Sequence, residues 1–136
     1  MHHAEKSAQL RQVTQFARLS DQDIESLSSS AVLTELAATE GLLNEGEQGS
    51  DAFVLLSGAL QVFKQGTLGN PIVLARLEPV RLFGEQSSFA RNDNRRTASV
   101  LALENSRVLR LEGATFQKIM YKNLNLQSEI ISQGKI

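Results

Sequence analysis

Apolar positions change period twice along this chain. Between residues 5 and 18, Leu10, Val13, Phe16 and Ala17 recur three and four apart, as on one helix face. Ser20-Asp21-Gln22-Asp23 then reads as a capping box, with Ser20 as N-cap and Asp23 at the third helical position. Ile24 and Leu27 supply a short apolar face before Ser28-Ser29-Ser30, which predicts a break, so the first helices are expected within 5–28. From Ala31 the chain reads as short strands between glycine-bearing turns. They are expected at 32–36, 52–58, 59–66, 72–77, 97–103 and 106–112, with a turn-rich link at 43–51 and a hairpin turn at 67–71. Helical spacing returns after Gly113 through Phe116, Ile119 and Met120. It continues through Leu124, Leu126, Ile130 and Ile131, with Asn123 and Asn125 as breakers between two helices over 113–133. Many short strands in the middle of a chain, flanked by helices, predict a sandwich or jelly-roll barrel rather than alternating βαβ units.

Composition narrows the function classes. A chain of 136 residues with 41% hydrophobic and 21% charged residues suits one globular domain, 1–136. With 14 basic against 15 acidic residues, the net charge of -1 gives no general affinity for nucleic acid or an anionic membrane. No apolar run is long enough for membrane insertion, and the N-terminus has no signal-peptide core, so a cytoplasmic protein is expected. Cysteine is absent and the only histidines are His2 and His3. Disulfides, thiolate catalysis, a Ser-His-Asp triad and a histidine-based metal centre are thereby disfavoured, and neither an enzyme, such as a metal-dependent cupin, nor a metal site is expected. Arg107, Arg110, Lys118 and Lys122 scatter over two elements instead of forming a recognition helix, which argues against direct DNA reading.

The chemistry concentrates in residues 83–100, FGEQSSFARNDNRRTASV. Gly46, Gly49, Gly58, Gly66 and Gly69 fall at strand ends or turns, but Gly84 opens a polar stretch, 85–90, that predicts a single helical turn inside an all-β region. Backbone N–H groups exposed by such a turn, at Gly84, Glu85, Gln86 and Ser87, can face an anion. The Arg96 guanidinium offers a planar fork that matches two phosphate oxygens. Glu85 can accept a hydrogen bond from a ribose hydroxyl, as acidic residues do in nucleotide sites. Together they describe a ribose phosphate, whereas a surface ion pair of Glu85 with Arg96 or Arg95 would use the same residues without a ligand.

Phe83-Gly84-Glu85 followed by Arg96-Thr97-Ala98-Ser99-Val100 resembles the phosphate-binding cassette of the cyclic nucleotide-binding domain family, the cAMP- and cGMP-sensing modules of kinase regulatory subunits, gated channels and bacterial transcription regulators. The likeness extends over nearly the whole chain. It takes in Phe16 to Ser20 as an entry helix and turn, Glu45-Gly46 through Phe53 to Gly58 as a strand pair, and Arg107 to Leu111 with Phe116 as the last strand and following helix. The chain departs from the pattern at Pro79-Val80-Arg81-Leu82, at Gln86 and at Ser87. The resemblance implies a mainly β fold: an eight-stranded double-stranded β-helix, or jelly roll, over 31–112, with flanking N- and C-terminal helices, a cassette helix at 85–90 and a C-terminal lid. It implies a ligand, cAMP or cGMP, and no cofactor. Thr97 is the residue positioned to bond a guanine amino group. Leu60, Val62, Val73 and Leu74 are candidates for the base pocket, and Leu124, Leu126 and Ile130 for the lid. The output would be a regulated partner or fused effector domain, with the C-terminal helices as a candidate homodimer contact. The alternative is a scaffold or dimerisation module of the same fold that binds no nucleotide.

Overall fold

The strand Ala52–Ser57 is buried at five successive positions, so both of its faces must be covered. Its side chains divide accordingly. Ala52, Val54 and Leu56 join one apolar cluster with Leu109 and Leu111, while Phe53 and Leu55 join a second with Leu60, Val62, Val100 and Val108. A sheet clad by helices on one side and by a second sheet on the other follows directly from this alternation.

The computed structural model describes residues 1–89 and 94–123. Helix α1 (His3–Arg11), a 3-10 turn (Thr14–Phe16) and α2 (Asp21–Ser30) precede eight strands. These are β1 (Val32–Leu36), β2 (Gly41–Leu43), β3 (Ala52–Ser57), β4 (Leu60–Gln65), β5 (Pro71–Leu77), β6 (Arg81–Phe83), β7 (Ser99–Ala102) and β8 (Ser106–Leu111). A 3-10 turn, Glu85–Phe89, interrupts the strands, and α3 (Gly113–Lys122) follows them. One antiparallel sheet has the order β1-β8-β3-β6 and the other β2-β7-β4-β5. Because the chain crosses between sheets at most connections, the result is the jelly roll expected.

The helices cover the first sheet. Leu10, Val13, Phe16, Ile24, Leu27, Phe116, Ile119 and Met120 are all buried in its outer cluster, and the Phe16 and Phe116 rings lie 6.4 Å apart. The Ser20 side chain accepts from the Asp23 N–H at 3.1 Å, the cap read from sequence. The Asp23 carboxylate turns to α3, where Lys122 Nζ (2.8 Å) and Asn123 Nδ2 (3.3 Å) donate to it. Asn123 closes α3, and its expected role as a breaker is met there. No helix among the described residues is long and apolar enough to cross a membrane.

Several boundaries differ from the sequence reading. The first helix ends at Arg11; Val13 caps and Phe16 ends the following 3-10 turn, whose i, i+3 spacing mimics a helix face. Ser28-Ser29-Ser30 completes α2 instead of breaking it. The hydroxyls of Ser28, Ser29 and Ser30 bond back to the carbonyls of Ile24, Glu25 and Leu27 and leave the helix intact. Strands β2 and β6 were not predicted, since three residues are too few to show an alternation. β7 begins at Ser99, two residues later than expected. Ala90, Arg91 and the expected helix beyond residue 123 lie outside the described residues.

Candidate ligand-binding site

Phe53 is the centre on which the predicted residues converge. It pairs across the first sheet with Phe83 on β6 and with Arg110 on β8, and opposite residues share a face. The Phe53 and Phe83 rings are 5.4 Å apart and nearly parallel. Gly84 follows with φ +74; a Cβ there would meet Phe53 Cδ2 at 3.0 Å and Arg96 Nη1 at 3.3 Å. Only glycine fits both the backbone conformation and the space.

Arg96 lies over the Phe53 ring, its guanidinium carbon 5.5 Å from the ring centre, and is 6% exposed. Its Nη1 donates to the Gly84 carbonyl and its Nη2 to the Asp51 carbonyl, each at 3.0 Å. Burial is the main cause lowering its pKa, with Arg110 adding to the effect, while the negative charges of Asp51 and Glu47 oppose it. The sequence suggested that a strand starting at Thr97 would hold its backbone. Instead, a short ladder to the 46–49 loop does so. Arg96 N–H donates to the Glu47 carbonyl (2.7 Å), Gly46 N–H to the Arg96 carbonyl (2.8 Å) and Gly49 N–H to the Asn94 carbonyl (2.8 Å). Gly49 also makes room for the guanidinium, since a Cβ there would stand 2.8 Å from Arg96 Nη2.

Glu85 is 5% exposed, and its Oε2 is buried without a hydrogen-bond partner. Burial pushes the carboxyl up to about 7, against hydrogen bonds from its own backbone N–H and the Gln86 side chain and the charge of Arg81. A surface ion pair is therefore not what these residues form: Glu85 and Arg96 are both buried, and Arg96 is held by carbonyls. A buried oxygen lacking a donor costs about 1–3 kcal/mol, which a donating ligand would remove.

The other predicted residues separate. Gln86 is half-buried beside Glu85, and the buried Ser87 donates its hydroxyl to the Arg95 carbonyl at 3.3 Å instead of leaving it for an anion. Thr97 is exposed. Leu60 and Val62 are buried in the core between the sheets, whereas Val73 and Leu74 stand 57% and 47% exposed on the edge strand β5. Leu124, Leu126 and Ile130 lie outside the described residues. The sequence reading missed Gly49 and Asp51 as neighbours of the Arg96 guanidinium, and Arg110 as a neighbour of the Phe53 ring. Gly49 was indistinguishable from the other turn glycines, and only the β3–β8 register reveals that Arg110 faces Phe53.

A buried arginine and a buried carboxylate with one donorless oxygen thus lie beside one glycine, an arrangement that suits a ligand carrying both anion and hydroxyl. Comparison with known proteins points the same way. The sequence model described as "cyclic nucleotide-binding domain" matches residues 33–123. A search of curated proteins returned no match. Among solved structures, the sensor domain of the transcriptional regulator DNR from Pseudomonas aeruginosa superposes with a TM-score of 0.85 at 18% identity, over 96% of this chain and 87% of that one. The regulatory domain of Toxoplasma gondii PKA, crystallised with cAMP, gives 0.77 at 24% identity over 86% of this chain and 44% of its own. The N-terminal domain of a transcriptional regulator from Streptomyces coelicolor A3(2) gives 0.71 at 27% identity over 90% and 85%. With the family's sequence model spanning most of the barrel and α3, and its fold matched throughout, this chain belongs to the cyclic nucleotide-binding domain family.

Proposed function

We propose that this chain is a non-catalytic sensor domain that binds a 3',5'-cyclic nucleotide, cAMP or cGMP, and regulates a partner or fused effector. In this reading the ribose 2'-hydroxyl donates to Glu85, and the cyclic phosphate docks between Arg96 and the backbone N–H groups of the 85–87 turn. Residues 1–136 act as one cytoplasmic domain, with binding transmitted to the C-terminal helices, which are also the candidate dimer contact. The observation that carries the reading is Glu85 Oε2, a buried acceptor left without a donor one residue from the glycine on which Arg96 rests. A module that only scaffolds gains nothing from keeping that oxygen unsatisfied. Family membership adds weight, since such domains are regulatory, and two of the matched structures hold cAMP.

Calorimetric titration with cAMP and cGMP, each with its 2'-deoxy form, tests the reading in native protein and Glu85→Gln. Removing the 2'-hydroxyl is expected to cost native protein about 1–3 kcal/mol, the range for stranding a buried charged acceptor. In Glu85→Gln that loss shrinks, because both changes remove one contact. Absence of binding by either nucleotide would favour the ligand-free scaffold. Fully additive costs would move the ribose away from Glu85. Thr97→Ala decides the base: a loss confined to cGMP assigns the hydroxyl to guanine.

A further inference from the structure

We propose that Arg110 contacts the ligand's phosphate together with Arg96, so that the anion subsite carries two guanidinium groups. This rests on reading the pocket as a phosphate site and extends it to a residue on a different strand. Arg110 lies directly opposite Phe53 in the β3–β8 register, on the face of the sheet that carries Phe53, Leu55 and Val108 into the inner core. Its guanidinium carbon is 5.8 Å from the centre of the same Phe53 ring that Arg96 covers at 5.5 Å. The two groups feel each other, for Arg110 is one of the charges that disfavour the protonated form of Arg96.

What holds Arg110 there leaves its donors available. Its Nε is 3.7 Å from Asp51 Oδ2, too far for a hydrogen bond, while Asp51 Oδ1 accepts from the Gly113 N–H at 2.9 Å. Among the described residues the Arg110 guanidinium makes no hydrogen bond, and its side chain is 51% exposed. Asp51 thus aims Arg110 without saturating it, and its backbone carbonyl simultaneously holds Arg96. Two cations gathered around one aromatic ring repel each other, and a phosphate placed against them removes the repulsion. Arg107, three residues earlier on β8, is comparably exposed but is directed to Glu35 on β1, 3.8 Å away, and serves as the control.

The charge of the ligand supplies the test. Coulomb energy scales with ligand charge, so loss of one cation must penalise a phosphomonoester dianion more than a cyclic monoanion. The affinities of cAMP, cGMP, 5'-AMP and inorganic phosphate are measured near pH 8 on native protein, Arg110→Gln, Arg110→Lys and Arg107→Gln. For Arg110→Gln we expect cyclic nucleotides to weaken about threefold to fivefold and 5'-AMP about tenfold or more, the magnitude of a partly exposed charge-assisted contact. Arg110→Lys keeps the charge and should restore most of that difference, and Arg107→Gln should match native protein. Equal weakening of monoanion and dianion would make Arg110 a packing residue, and unchanged affinities in Arg110→Gln would remove it from the site; either overturns the proposal while leaving cyclic nucleotide sensing intact. Phosphate or 5'-AMP binding that depends on Arg110, with no binding of cAMP or cGMP, would uphold the two-cation subsite and defeat the sensor reading. Failure of all four probes to bind native protein would overturn both.

Discussion

Replacing Glu85 by glutamine should stabilise the ligand-free protein at neutral pH even as it weakens the grip on ribose. The Glu85 carboxyl is raised to about 7 from an ordinary 4.5, chiefly by burial, so the folded state prefers it protonated. Stability from this preference is fully present below about pH 4.5 and is lost as pH rises towards 7, beyond which the loss is complete. One pKa unit corresponds to about 1.4 kcal/mol, so a displacement of this size costs the native fold roughly 3 kcal/mol above neutrality. Glutamine has no charge to desolvate. Its amide still leaves a polar atom at the unpartnered position, which returns about 1–2 kcal/mol of the gain. A net stabilisation of about 1–2 kcal/mol at roughly pH 8 is expected, falling to zero or reversing near pH 5. Urea unfolding of native protein and Glu85→Gln at both pH values measures this, and subtracting the two differences cancels every other titrating group. An identical difference at both pH values would refute the reasoning, because Glu85 would then ionise in the fold as freely as in the unfolded chain. The same linkage predicts that a ribose bound to the carboxylate releases a proton near neutrality, visible as buffer-dependent calorimetric heat.

Arg96→Ala should remove most cyclic nucleotide affinity, about 2–5 kcal/mol by titration, and Arg96→Lys should recover little, because the planar fork that spans the Gly84 and Asp51 carbonyls is lost. Arg95→Ala, at an exposed neighbour, is the control. Gly49→Ala would set a methyl 2.8 Å from Arg96 Nη2, at the flexible end of that side chain. It should cost less than about 1 kcal/mol of stability in urea melts while lowering ligand affinity about tenfold or more by displacing the guanidinium. Phe116→Ala empties a fully buried ring position against Phe16 and should destabilise the fold by about 3–5 kcal/mol; a loss under 1 kcal/mol would mean α3 is not anchored through it.

The succession of helices and longer strands, the Ser20 cap and the likeness of the cassette were legible in the amino-acid sequence. Each is written in local terms: a period of three to four or of two, a hydroxyl three residues before the N–H it receives, a glycine before a polar turn. The two shortest strands escaped because three residues carry no period, and the first helix was drawn too long because a 3-10 turn repeats the helical spacing. How the cassette residues are held depends on contacts between distant segments. Glu85 and Arg96 could have met as a surface ion pair; burial separated them in role, Arg96 on carbonyl acceptors and Glu85 with one oxygen lacking a donor. Arg96 is fixed by the 46–49 loop, nearly fifty residues upstream, rather than by the strand that follows it. Strand register alone sets the Arg110 side chain beside Phe53. Pairing between β3 and β8 joins residues fifty or more apart, and local patterning holds no information about which of them will face each other.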